Sequence, residues 1–207
     1  PLTFFFTPPM FIPDGTPDAP QGTNVLAIVI EPDALVRRII ITNYVSHELG
    51  GDLLGALAND RQYVVLNNHR EFYLADGQQM WVFDDSGEDD VDNSEPSDGP
   101  GTLRDFSGTS AFGVWQYTMI DNQPNHVGWL NGVSGMIEPD DSTNGLTDGM
   151  LLTIRGHHWK YATVNVPIGV TNMIVHLKPE TPPDASMDLY IRRGERPSVS
   201  EYDKYAT

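Results

Sequence analysis

Residues 81–122 read WVFDDSGEDDVDNSEPSDGPGTLRDFSGTSAFGVWQYTMIDN. Two apolar, strand-like runs, Trp81–Phe83 and Val114–Thr118, flank a loop crowded with carboxylates and glycines. Aromatic and β-branched residues suit a half-buried pleated surface, and the Gly/Asp/Pro-rich interval is turn chemistry. The stretch therefore predicts rigid sheet presenting hard oxygen ligands at its rim. The same grammar recurs outward in both directions. Short β-branched runs bounded by Asn, Asp, Gly and Pro occur at 24–30, 36–42, 61–66, 114–120, 150–154, 163–166 and 172–177. Helical periodicity is nearly absent, and 16 prolines and 19 glycines cut the chain into short pieces. The fold class this predicts is all-β, built as a sandwich.

At 207 residues the chain has room for one large or two small domains, and two are expected. A formal net charge of −17, from 29 acidic and 12 basic residues, argues against nucleic acid and against an anionic membrane surface. With no cysteine, disulfides and thiolate metal sites are excluded. No run of about 18 apolar residues is present, so no membrane-spanning helix is expected. The first residue is Pro1 rather than Met, so the chain is expected to be processed, excised or incompletely known.

Residues 1–13, PLTFFFTPPMFIP, form an apolar leading strand. Phe4, Phe5, Phe6, Met10, Phe11 and Ile12 must pack on something. Two readings are open: an edge strand of the chain's own sheet, or a donor strand that completes a neighbouring subunit. Residues 24–66 read as an antiparallel meander.

The run IIITNYVSHELGGDLLGALANDRQYVVLNN (39–68), followed by WVFDDSG, SDGPGTLRDFSGTSAFGVWQYTMIDN and HVGWLNGVSGMI, resembles the P domain that follows the catalytic domain in proprotein convertases and many secreted bacterial subtilases. The pieces that carry the resemblance are Ser46-His47 before Gly51-Asp52-Leu53, then Phe83-Asp84-Asp85, the segment Phe106, Gly108, Gly113 and Trp115, then Asp121 and Gly128. One departure is the hairpin 58–61, where the family has Ser-Pro-Ser-Gly and this chain has Ala-Asn-Asp-Arg. Beyond the polar linker 139–145, the segments WKYATVNVPIGVTNMIVHLKPE and MDLYIRRGERPSVSEYDKY resemble the bacterial pre-peptidase C-terminal domain. The resemblances imply a jelly-roll-like sandwich over 14–138 and, over 146–207, a second sandwich lacking its last strands. They also imply a secreted, extracellular protein from a bacterium or archaeon, whose partner is a secreted hydrolase or another copy of itself.

Two fragments mimic protease motifs: Asp85-Ser86-Gly87 and Gly108-Thr109-Ser110-Ala111. The subtilisin order is Asp, His, Ser, and no histidine lies between Asp85 and Ser110. The P-domain pattern accounts for the same residues, so no catalytic residue is assigned. Metal binding is the remaining chemistry of the loop. Asp84, Asp85, Asp89, Asp90, Asp92 and Asn93 offer the oxygen ligands that calcium takes from loops, the alternative being a solvated acidic loop. His157-His158 in a strand would point to opposite faces, which favours structural imidazoles over zinc ligands. The four tryptophans read first as core. The functional expectation is a non-catalytic module acting in stabilisation, docking or assembly. Its alternative is a filament subunit in which strand 1–13 completes the next copy's sandwich head to tail.

Overall fold

A computed structural model describes residues 1–6, 9–31, 34–71, 78–140, 143–144, 154, 158–166, 168, 173–175, 177 and 186–207. The chain is all-β and divides into two compact units. Unit 1 comprises Pro1–Ser86 and Val91–Asp140, and unit 2 comprises Gly87–Asp90 and Asp141–Thr207.

Unit 1 contains β1 (Leu2–Phe5), β2 (Met10–Ile12), β3 (Gln21–Val29), β4 (Val36–His47), β5 (Leu53–Ala58), β6 (Tyr63–Asn68), β7 (Gln79–Phe83), β8 (Ser94–Glu95), β9 (Gly113–Asp121) and β10 (Gly128–Pro139). One sheet runs β1-β10-β4-β7-β8, with β2 also paired to β10, and the other runs β3-β9-β5-β6. The expected meander is not what forms. β3, β4 and β5 alternate between sheets, and among the described strands of residues 24–66 only β5 and β6 pair as a hairpin of neighbours. Counting β1 and β2 as one interrupted strand and setting aside β8, this alternation is the strand order of a jelly roll. The reason lies in burial. An apolar face on each of two sheets is hidden only when they close on each other, and successive strands that switch sheets build both faces together.

The register of that burial is visible strand by strand. In β3 and β9 alternate residues face the core, with Val25, Ala27 and Val29 on one and Trp115, Tyr117 and Met119 on the other. β4, central in its sheet, is buried almost throughout and ends with His47 on the core-facing parity of Ile39, Ile41, Asn43 and Val45. β10 needs a bulge between Leu130 and Gly132, which shifts the inward phase from Leu130 to Val133, Gly135 and Ile137. Trp81 and Trp115 lie in the core as expected, whereas Trp129 faces outward against Phe11, with ring centroids 5.3 Å apart. Across the apolar space Asn43 Nδ2 donates to Tyr117 Oη at 2.6 Å, joining the two sheets.

The leading segment is part of this sandwich. β1 and β2 pair with β10, and Phe4, Phe6 and Ile12 are buried in unit 1's own core, while Phe5, Met10 and Phe11 are exposed. Phe4 lies over Gly135, where a β-carbon would sit 2.1 Å from its ring. That close approach requires glycine at this position.

In unit 2 the described strands are β11 (Thr143–Asn144), β12 (Ala162–Thr163), β13 (Leu189–Ile191) and β14 (Lys204–Ala206). β13 and β14 are antiparallel, and Trp159, Tyr161, Tyr190, Tyr202 and Tyr205 cluster, with Tyr190 and Tyr205 centroids 4.7 Å apart. Glu88 is buried, and Tyr161 Oη donates to its carboxylate at 2.8 Å. Arg192 pairs with Glu195 and Glu201. Residues 150–153, 157, 172 and 176 lie outside the described residues, and the described residues of the expected strands at 150–154 and 172–177, namely 154, 173–175 and 177, are not in a strand. Among the described residues no helix is long and apolar enough to cross a membrane.

Candidate metal centre at one end of the sandwich

Strand ends, where regular pairing stops but the core-facing parity continues, are where an inward side chain switches from apolar to polar. His47 closes β4 in one sheet, and Asp121 closes β9 in the other. Asp52 comes from the short turn Gly50–Asp52 that leads into β5, and Leu53 pairs with Asp121 across β5 and β9. All three residues are buried, and their ligand atoms lie within 4.8 Å of one another. His47 Nε2 is 3.1 Å from Asp121 Oδ2, and Nδ1 is 2.8 Å from the Leu49 carbonyl oxygen. His126, in the β9–β10 connection, places Nδ1 2.7 Å from Asp52 Oδ2 and is partly exposed. Gly128 lets β10 approach closely. A β-carbon there would lie 2.3 Å from the Ser46 carbonyl oxygen and 2.4 Å from His47 Cδ2.

Burial pushes the Asp121 carboxyl above the ordinary range. The Asp52 charge works in the same direction, and the Gln123 N–H, donating at 2.9 Å, together with His47 pulls it back only in part. Two carboxylates and an imidazole thus converge in a desolvated space. Acid–base catalysis is poorly served here, because both ring nitrogens of His47 are already occupied and the ring is buried. Cation ligation is what the donor set suits.

The chain matches no family model, and comparison with curated proteins finds no match.

The acidic loop is arranged differently from this end of the sandwich. Asp84 pairs with Arg38 at 3.2 Å, both side chains buried, and accepts from the Ser86 N–H and hydroxyl at 2.9 and 3.0 Å. Asp85 accepts from the Ser97 N–H at 2.9 Å, from the Ser97 hydroxyl, and from the Leu103 N–H at 2.6 Å. Asp98 is held by Arg70 through two bonds of 2.8 Å, and the same guanidinium contacts Glu95. Asp89, Asp90, Asp92 and Asn93 are exposed, the first two in unit 2 and the last two in unit 1. Among the described residues these carboxylates bring no three ligand atoms together, whereas His47, Asp52 and Asp121 do. The signal for that trio was one of parity at strand ends: His47 follows the inward residues Asn43 and Val45 in the last part of β4, and Asp121 continues the inward phase of the alternating β9.

The protease-like fragments serve the scaffold. Gly108 N–H donates to the Val36 carbonyl at 2.7 Å, and the Val36 N–H donates to the Thr109 carbonyl at 2.8 Å, fixing the start of β4. Ser110 Oγ accepts from the Phe112 N–H at 3.2 Å. In the hairpin 58–61 Asn59 Oδ1 accepts from the N–H groups of Arg61 and Gln62, both at 2.9 Å, forming an Asx turn.

Proposed function

We propose that this chain is a non-catalytic, secreted accessory module of the kind that accompanies extracellular peptidases, acting by stabilisation or docking. The observation that carries the reading is the Asp85 carboxylate filled by Ser97 and Leu103 donors. A carboxylate so saturated orients a loop rather than a histidine. The order of motifs around Gly51-Asp52-Leu53 and Trp115 supports the likeness to P domains, and the jelly-roll strand order is compatible with it. A fluorescent protein substrate incubated with the purified chain is expected to remain intact. Cleavage that disappears in Ser110→Ala would overturn the reading.

Self-assembly is the second reading. β1 and β2 sit at one edge and pair with β10, so a second copy's β10 offers the same partners by strand exchange. This form of assembly exchanges an intact strand, and its signature is a mass that rises with concentration.

A further inference from the structure

We propose that His47, Asp52 and Asp121 bind one divalent cation of the borderline, zinc-like class. The site stands on its own geometry and is independent of the accessory-module reading. Three features carry it. The first is convergence: one imidazole nitrogen and two carboxylates from three separate elements come within 4.8 Å of one another in a buried space. Bonds of about 2.0–2.2 Å place neighbouring ligand atoms of one ion roughly 3–3.5 Å apart, and His47 Nε2 and Asp121 Oδ2 are 3.1 Å apart.

The second is the orientation of His47. Its Nδ1 lies 2.8 Å from the Leu49 carbonyl oxygen and 3.3 Å from the Leu49 N–H, so the Leu49 backbone holds the ring in place. The ring then directs Nε2 into the space that also holds the Asp121 oxygen. A hydrogen-bond proton between Nε2 and Asp121 Oδ2 accounts for this distance, and a bound cation would take that proton's place between the same two atoms. A backbone carbonyl holding the remote nitrogen is the usual second-sphere partner of a metal-bound histidine.

The third is His126. Its Nδ1 is 2.7 Å from Asp52 Oδ2, which steadies that carboxylate, and its side chain is 35% exposed, which marks a route from solvent. Mixed nitrogen and oxygen donors with three protein ligands favour zinc, cobalt or nickel. Calcium and magnesium prefer all-oxygen shells of six or more ligands.

The test uses the untagged full chain, stripped with EDTA and dialysed against zinc chloride or calcium chloride, with bound metal measured by elemental analysis and calorimetry. One equivalent of zinc per chain and a raised melting temperature are expected. Asp121→Asn should lose that equivalent, and His126→Ala should weaken it by about 10–100-fold. Absence of stoichiometric zinc, equal uptake by wild type and Asp121→Asn, or uptake of calcium in place of zinc overturns the proposal. Should Asp121→Asn fail to fold, the cobalt(II) spectrum of the wild-type chain decides. Intense bands of a four- or five-coordinate ion support the site, and the weak spectrum of hexa-aquo cobalt overturns it.

Discussion

Gly128 shows how much one missing β-carbon can matter. Its pairing with His47 brings the two backbones so close that alanine would collide with a carbonyl oxygen and the imidazole together. Gly128→Ala is expected to cost about 1–3 kcal/mol, read as a lower urea midpoint at unchanged slope. Arg70 and Asp98 give a test in pH. Desolvation alone would raise Asp98, but hydrogen bonds from Arg70 and the Asn68 N–H, with the Arg70 charge, bring it below the ordinary carboxylate value. A lowered native value means the pair's stabilisation is complete above the unfolded value near pH 4 and is lost as the pH falls through the native one. The melting temperatures of wild type and Asp98→Asn should therefore differ at neutral pH and converge as the pH drops below about 4. Because the pair is only partly covered and solvent still screens it, its contribution at neutral pH should stay near or under about 1 kcal/mol. A gap that persists at low pH would assign the effect to packing instead.

Among the elements, β1 makes the sharpest prediction. Phe4 fits over Gly135, 5.9 Å from the Trp115 ring centroid and 5.6 Å from that of Phe6. Phe4→Ala is expected to cost about 3–5 kcal/mol, and Gly135→Val, which fills the space from the other side, should expel the same ring and raise exchange of the β1 amides. Equal protection of those amides in the variant would refute the fit. Much of this architecture was legible beforehand. Short β-branched runs between Gly, Pro, Asn and Asp breaks state the all-β class, although in β3 the outward Leu26 and Ile28 are as apolar as the inward residues, so burial alternates where the residue order does not. Sheet membership was not legible: adjacent strands with a short connection look the same whether they pair or cross to the opposite sheet. Nor was β10, whose bulge changes phase between Leu130 and Gly132 and so erases the alternation. The candidate site divides the same way. His47, Asp52, Asp121 and Gly128 were visible as pieces of one pattern, but their convergence depends on two sheets meeting, a distance of 74 residues for His47 and Asp121. The acidic loop drew attention by density, and density carries no information about internal donors such as Arg38, Arg70 and Ser97.

For the molecule as a whole, the net charge of −17 sets the terms of association. Copies repel at low ionic strength, and the repulsion fades once the screening length falls to about 10 Å near 0.1 M salt. If strand exchange operates, light scattering should rise with salt and with protein concentration, and Phe5→Lys, altering an exposed residue of β1, should change that rise with little effect on melting. A mass that stays monomeric across both ranges removes the assembly reading. The bond between Asn43 and Tyr117 has a consequence for how the two sheets meet. Apolar faces attract without direction, and two such faces can slide past one another at little cost as long as they stay dry. A slip of one residue, about 3.4 Å, would carry the amide away from the hydroxyl and strand two polar groups in hydrocarbon, each at about 1–3 kcal/mol. The pair acts as a pawl. It adds little attraction, yet it turns a slippery contact into one with a single resting position.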